Sequence, residues 1–359
     1  MSELVRAAVA AIVEGRTLPM EEARLAMGAV MDGEATPSQL AALLMGLRMR
    51  GETVDELAGF AAAMRERVMK VEAPEGTIDV VGTGGDGSNT FNISTTAALV
   101  VASMGIPVAK HGNRAITSRS GSADVLDALG VRIDHDAASA GRSISGLGFA
   151  FLLATSFHPA MRHAGPTRRE IGVRTAFNLL GPLTNPAGAT RALIGVGVAE
   201  AAPRIAEVAA RLGTERTFVI HGAGVDELPL DDTGVLYQVD PAGIVRHEIR
   251  ASQLGFKVTP TKKLAGGTPA ENAKIVEDVL RGEPGARRDV VLLNAGAALL
   301  VAGAVGQLEE GIDKAAFAID AGLAEELLGK LRAERRAHEA AKADVDGDAA
   351  AAPGHGSPA

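Results

Sequence analysis

The chain reads as an α/β protein, a mostly parallel mixed sheet flanked by helices and joined to a smaller all-helical domain. Residues 1 to about 72 hold only helical patterns. From about residue 73, short β-branched runs alternate with helix-length segments, which indicates βαβ units. Composition agrees. There are 43 glycines but only 9 Phe, 1 Tyr and no Trp, which suits close-packed layers and loops whose backbone approaches a ligand.

The elements follow in order. Thr17-Leu18-Pro19 and Thr36-Pro37 each set an N-cap candidate beside a proline suited to a first helical turn. Thr53 and Glu56 form a capping-box pair. Leu40, Leu43, Leu44 and Leu47 recur at helical spacing. This stretch reads as packing without chemistry. Strands are expected at 78–81, 106–109, 149–153, 192–198, 217–220, 235–239 and 244–249. Helices are expected at 94–104, 122–129, 269–280 and 288–302. No internal repeat is visible. The Ala/Gly/Pro-rich end has nothing to bury, so residues 336–359 read as a disordered tail.

The totals exclude several classes. With 36 Lys+Arg against 44 Asp+Glu, the net charge is −8, which argues against a protein that coats nucleic acid. There are no cysteines, so disulfides, thiolate metal sites and Cys nucleophiles are absent. Acidic residues early in the N-terminal stretch read against a signal peptide, and no run approaches a membrane span, so neither is expected. A soluble cytoplasmic protein is expected, with no membrane partner.

Chemistry gathers in four stretches. The first is DVVGTGGDGSNTFNIST, 79–95, whose glycines from Gly82 to Gly87 fit G-x-G-x-x-G. A dinucleotide site also needs an acid about 20 positions on, at the end of the second strand. That strand ends here in Lys110, followed by His111, Gly112, Asn113 and Arg114. No Walker A pattern occurs. The glycines still let backbone N–H groups approach an anion, and a helix N-terminus adds positive potential. Asn89, Thr90, Asn92, Ser94 and Thr95 add hydrogen-bonding side chains. Asp86 suits ribose hydroxyls or a phosphate-bound Mg2+. The bland alternative, a tight turn, fits poorly with so long a polar run after a buried strand.

The second stretch, KHGNRAITSRSGSAD, 110–124, gathers Lys110, Asn113, Arg114 and Arg119. A Lys at the end of a buried strand is costly unless it meets an anion. Ser118, Ser120 and Ser122 either cap the next helix or bind phosphate, and the residue types leave both open. The third, HGAGVDELPL, 221–230, holds Asp226 and Glu227. Such a pair is an ordinary surface feature or a set of oxygen ligands suited to Mg2+. The fourth, HPAMRHAGPTRREIGVRTAFNLLGPLTNP, 158–186, crowds Arg162, Arg168, Arg169 and Arg174 around a helix. Such cations are usually solvated, but one could grip a substrate carboxylate through two bonds.

Together these stretches resemble the anthranilate phosphoribosyltransferase family. The matching segments are GTGGDGSNTFNIST, VAKHGNRA, SGSADVLDALG, RREIGVRTAFNLLGPLTNP and HGAGVDEL, with GEATPSQLAALLMGLRMRGET among the N-terminal helices. They span about residues 3 to 332. The resemblance implies a homodimer that moves phosphoribose from phosphoribosyl pyrophosphate to anthranilate in the tryptophan pathway, using two Mg2+ ions. It also implies that a returning segment near 161–182 joins the small domain of 1–72, leaving 73–160 and 183–335 as the large one.

Carried over by motif, Gly82, Gly85, Asp86, Thr90, Asn92, Ser94, Thr95, Lys110, His111, Gly112, Asn113, Arg114, Ser118 and Ser122 surround the donor. Ser94, Asp226 and Glu227 hold the metal. Gly82, Asn113 and Arg168 meet anthranilate, and Lys110, Asn113 and Arg168 carry the catalysis. Thr117 stands where serine is more usual, and Val225 where leucine is expected; neither removes a functional group. Two alternatives compete. A pyrimidine nucleoside phosphorylase is opposed by the acid pair and KHGNR, and a silent nucleic-acid-binding relative by the net charge.

Overall fold

The computed structural model describes residues 1–115, 119–231 and 233–351, with side chains to residue 344. Four helices open the chain: α1 (Glu3–Val13), α2 (Met20–Met31), α3 (Pro37–Arg50) and α4 (Val54–Glu66). Two of the expected caps form. Thr36 Oγ1 accepts from Gln39 N at 3.2 Å while Gln39 Oε1 accepts from Thr36 N at 3.1 Å. Glu56 and Thr53 repeat the exchange. Thr17 caps nothing, because α2 starts at Met20 with Pro19 itself as N-cap. Leu40, Leu43, Leu44 and Leu47 are all buried. Glu56 is buried too, and its carboxylate also accepts from Leu18 N at 2.9 Å and from Arg50. One side chain thus ties the start of α4 to the α1–α2 loop.

The larger unit then runs β1 (Ile78–Gly82), α5 (Ile93–Ala102), β2 (Val108–Gly112), α6 (Ser122–Ala128), α7 (Ala137–Leu147) and β3 (Phe149–Leu153). Three short helices return toward the bundle: α8 (Ala154–Phe157), α9 (Gly165–Ile171) and α10 (Phe177–Leu180). Next come β4 (Arg191–Gly195), α11 (Ala202–Arg211), β5 (Arg216–Gly222), β6 (Thr233–Asp240) and β7 (Gly243–Arg250). The chain closes with α12 (Pro269–Leu280), α13 (Ala286–Ala302), α14 (Leu308–Asp320) and α15 (Leu323–Ala351).

The strand order is β3-β2-β1-β4-β5-β6-β7. The first five strands in that order pair parallel, and β5-β6-β7 pair antiparallel. The chain steps outward one way from β1 to β3, then resumes on the other side of β1 with β4. That reversal opens a crevice beyond the carboxyl ends of β1 and β4, the place where open α/β sheets bind ligands.

Side-chain alternation sorts the layers. Ile78, Val80, Val108, Phe149, Phe151, Leu193 and Phe218 share one core with α5, α6 and α12 to α15. On the other face, Val81, Ile194 and Val219 share a core with α11 and the four N-terminal helices. Ala164, Phe177 and Leu180 of the returning segment join that second core. At one edge β3 packs against α7 and α8. At the other, β7 is almost wholly exposed and carries Arg246, His247, Glu248 and Arg250.

All seven expected strands exist, but β2 is displaced. It runs to Gly112, in register with β3 through the pair Gly112↔Leu153. Lys110, expected at the strand's end, and His111, expected after it, therefore both lie within the sheet. The tail departs further from expectation. Instead of disorder from 336, α15 continues to Ala351. Arg335 bonds Asp127 at 2.8 Å and Lys342 bonds Asp134 at 2.7 Å. Charged partners, not a buried stripe, hold this end of the helix, so hydrophobic periodicity gave no signal there. Residues 352–359 lie outside the described residues.

Helices α2 and α4 approach closely at Gly59, where a Cβ would meet Met20 O at 2.2 Å. Ala gains about 1 kcal/mol in helix propensity, but overpacking against a backbone atom costs up to about 3 kcal/mol. Gly59→Ala is expected to lower stability by about 2 kcal/mol, seen as a lower urea midpoint at unchanged slope.

Candidate active site

The β1–α5 connection is shaped by residues that reach positive φ: Gly84 at 63°, Gly85 at 66°, Gly87 at 76° and Asn89 at 52°. Gly tolerates this region freely and Asn better than most residues. The loop is tied to β4, since Thr83 N donates to Gly195 O at 2.9 Å and Gly197 N to Thr83 Oγ1 at 3.3 Å. Gly84 N donates to Asp226 Oδ2 at 2.8 Å. Asp86 accepts from Ser88 N and Oγ at 3.0 and 2.9 Å. Asn92 accepts from Asn272 Nδ2 at 2.9 Å and reaches Ser120 O at 3.4 Å. Thr90 bridges Ala265 as an isolated β-bridge.

Three of the four stretches converge at the start of α5. Ser94 N donates to Glu227 Oε1 at 3.0 Å. Lys110 Nζ reaches Ser94 Oγ at 3.5 Å and donates to Val80 O. The acid pair follows β5 and is braced from behind. Asn294 Oδ1 accepts from Leu228 N at 2.9 Å while its Nδ2 donates to Leu228 O at 3.0 Å. Close approach demands bare glycines beside the pair. A Cβ at Gly195 would lie 1.7 Å from Asp226 O, and one at Gly82 would lie 2.2 Å from Asp226 Oδ2. Gly82, Ser94, Lys110, Asp226 and Glu227 thus form one contact set, at the sheet reversal.

Its electrostatics follow from burial. Lys110 is 2% exposed and Glu227 7%. Burial lowers the Lys110 ammonium, while Asp79, Glu227 and Asp226 pull it back up. Burial, together with repulsion from Asp86, raises the Asp226 carboxyl to about 6. Burial pushes Glu227 well above the usual carboxylate range, as does Asp226 beside it. Carboxylates crowded around a single ammonium in a dry site suit a hard divalent cation. Among the described residues no group of three or more His, Asp or Glu forms a metal cage. Two acids that leave positions to water and ligand oxygens match what Mg2+ prefers.

The second loop stands differently. Asn113 Oδ1 accepts from Arg114 N at 2.9 Å, and Asn113 O from Ser122 Oγ at 3.3 Å. Arg114 is turned onto α6, pairing with Asp124 at 3.0 Å and Asp127 at 3.4 Å. Gly121, not a serine, is the N-cap of α6. Ser120 Oγ and Thr95 Oγ1 are buried without a partner among the described residues. Ser118 lies outside the described residues. Arg168 on α9 sits with its guanidinium 4.7 Å from the centre of the Phe177 ring, and burial lowers it from its ordinary value. Arg162 and Arg169 are exposed. Arg174 instead donates to the glycine loop.

Asp79 and Asn185 were not singled out from the sequence. Asp79 is buried on β1, accepting from His111 N at 3.2 Å and from Asn185 Nδ2 at 2.7 Å. The His111 ring faces away from Lys110, donating from Nδ1 to Gly181 O at 3.1 Å. It lies 5.1 Å from the His158 ring between centroids. A charged-looking residue inside a strand pattern was the available signal for Asp79; nothing local announced Asn185.

Residues 6–68 match the helical bundle domain of the glycosyl transferase family, and residues 74–325 its a/b domain. Among curated relatives, the anthranilate phosphoribosyltransferase of Pelotomaculum thermopropionicum is 48% identical over 92% of this chain and 95% of its own. The crystal structure of the Thermus thermophilus anthranilate phosphoribosyltransferase superposes with a TM-score of 0.87 at 45% identity, covering 92% of this chain and 99% of that one. The Saccharomyces cerevisiae enzyme in complex with PRPP and Mg gives 0.85 at 27% identity, covering 94% and 99%. The chain belongs to the anthranilate phosphoribosyltransferase family of these glycosyl transferases.

The two histidines yield a pH prediction. Burial holds His111 at about 3 and His158 at about 4, below the ordinary value near 6.5. As pH falls from about 6.5 to about 4, the unfolded chain takes up protons the folded one refuses, so stability is lost across that window. Asp79, raised to about 6 by burial, acts in the opposite sense, so the variant is compared with the parent. His158→Gln is expected to remove up to about 3 kcal/mol of the loss between pH 7 and pH 4, read from urea midpoints at both pH values.

Proposed function

We propose that the chain transfers the 5-phosphoribosyl group of phosphoribosyl pyrophosphate to the amine of anthranilate, releasing pyrophosphate, in L-tryptophan biosynthesis. The observation that carries this reading is the contact set at the sheet reversal: glycine loop, buried Lys110 and acid pair within hydrogen-bonding reach of one helix start. The shared family supports the acceptor.

The glycine loop and the N-terminus of α5 receive the donor's phosphates through backbone N–H groups. Gly85, Asp86, Thr90, Asn92, Thr95 and Ser122 line the same donor. Arg114 trades its partners on α6 for phosphate. Pyrophosphate leaves C1′ with charge building on it, and the ribose gains oxocarbenium character. Lys110 stabilises that charge from a dry site, where such an interaction is worth more than in water. Ser94, Asp226 and Glu227 would hold two Mg2+ ions, which when bound neutralise charge on the leaving group. Arg168, with no acid partner among the described residues, grips the anthranilate carboxylate. Asn113 orients the amine. An aryl amine is already neutral at pH 7, so positioning replaces a strong base.

In this reading the helical domain is 1–72 with the returning segment near 161–182, and the enzyme is a cytoplasmic homodimer. Among the described residues no helix is long and apolar enough to cross a membrane. Helices α1 and α3 expose Leu4, Val13 and Met49, apolar surface suited to a second copy.

Incubation with anthranilate, phosphoribosyl pyrophosphate and Mg2+ should quench anthranilate fluorescence, and chelation of the metal should stop it; persistent fluorescence with metal present would refute the reading. Arg168→Ala removes a charge-assisted carboxylate contact of about 1.5–3 kcal/mol. Its anthranilate KM should rise roughly ten- to hundred-fold and the donor KM much less. Equal rises in both would remove Arg168 from its assigned role.

A further inference from the structure

Arg174 lies in the segment between α9 and α10, just beyond the helix that carries Arg168. Its guanidinium donates to two successive carbonyls of the glycine loop: Nη1 to Gly85 O at 2.6 Å and Nη2 to Gly84 O at 3.2 Å. Both of these glycines are held at positive φ. The fit is close, for a Cβ at Gly85 would stand 2.7 Å from Arg174 Nη1. Among the described residues no carboxylate pairs with Arg174. The planar fork is spent on the loop backbone, a task for which a Lys point charge has the wrong shape.

The consequence lies in peptide geometry. No peptide bond in the described chain is cis, and in a trans peptide C=O and N–H point in opposite directions. With the Gly84 and Gly85 carbonyls turned to Arg174, the N–H groups of Gly85 and Asp86 face the other way. Gly84 N–H is held separately by Asp226. The loop is therefore gripped at two kinds of atom, a donor by the acid pair and two acceptors by Arg174.

We propose that Arg174 is a positioning residue for the donor. It sets the Gly84–Gly85 and Gly85–Asp86 peptide planes so that their N–H groups are presented to the donor's phosphates. It also fastens the donor loop to the segment bearing Arg168, so the two substrates are held by one continuous set of contacts. This rests on the donor and acceptor sites proposed above. A loop staple with no bearing on the donor is the competing view. It predicts lost stability without selective loss of donor binding.

The experiment measures phosphoribosyl pyrophosphate binding by calorimetry with Mg2+ present, both KM values, and thermal midpoints. It compares Arg174→Ala, Arg174→Lys and Arg168→Ala with the parent. Arg174→Ala should weaken donor Kd and KM about ten-fold, which corresponds to about 1.4 kcal/mol. Its anthranilate KM should stay within about two-fold, and its midpoint within about 2 °C because the bonds are exposed. Arg174→Lys should recover only part of the donor affinity and also serves if the Ala variant folds poorly. Unchanged donor Kd in Arg174→Ala, equal loss in both constants, or full recovery by Lys would overturn the proposal. Arg168→Ala separates this idea from the site reading. If it spares the anthranilate KM while Arg174→Ala still weakens the donor, the acceptor assignment fails and the loop role stands. No donor binding by the parent protein would refute both.

Discussion

The structure depends on one buried cation. Lys110 sits inside β2, 2% exposed, where an unpaired ammonium would cost several kcal/mol. Its compensation recruits the neighbourhood. Val80 lends a carbonyl across the sheet, Ser94 brings the start of α5, and Asp79, Asp226 and Glu227 supply charge. Each of those is in turn anchored: Asp79 by Asn185, Glu227 by Ser94 N, and the acid loop by Asn294. Satisfying one charge therefore fixes the relative position of β1, β2, β5 and α5. The carboxyl end of β1 and the start of α5 in that set border the crevice at the sheet reversal.

Much of this was legible from residues alone. Strands with β-branched runs at regular spacing identified the sheet, and Thr36 and Thr53 marked two helix starts. Legible too were the glycine loop and Lys110, because each breaks a local rule: glycines in series, a cation in a strand; the acid pair stood out only through the family resemblance. What stayed hidden has a common cause. Helix α7, AASAGRSISGL, is rich in small polar residues and reads as loop until Asp136 is seen to cap it through Ser139 N at 2.7 Å. The later part of helix α15 is held by ion pairs to α6 and the following loop, which no periodicity records. Asn185 acts on Asp79 across more than a hundred residues of chain. Partnerships at that range are properties of topology, not of any window of sequence.

The arginines of 158–186 show the same limit at finer scale. Four of them share one short stretch and look equivalent as text. In space they divide: Arg162 and Arg169 face solvent, Arg168 is half-buried over an aromatic ring, and Arg174 is bound to a distant backbone. Helical phase and the turn after α9 decide which is which. The family resemblance picked out Arg168; only the fold separates Arg174 from its exposed neighbours.

The two ends of the sheet also differ, with a consequence for self-association. An unpaired strand is a template on which another copy can extend the hydrogen-bond ladder. At β3 that edge packs against helices, and at β7 it is open but studded with Arg246, His247, Glu248 and Arg250. Charged side chains along an edge strand oppose edge-to-edge pairing, so β7 is blunted as a template. Exposed apolar side chains such as Leu4, Val13 and Met49 lie instead on helices, whose backbone hydrogen bonds are closed within the chain. A contact made there joins side chains only and offers no ladder to extend.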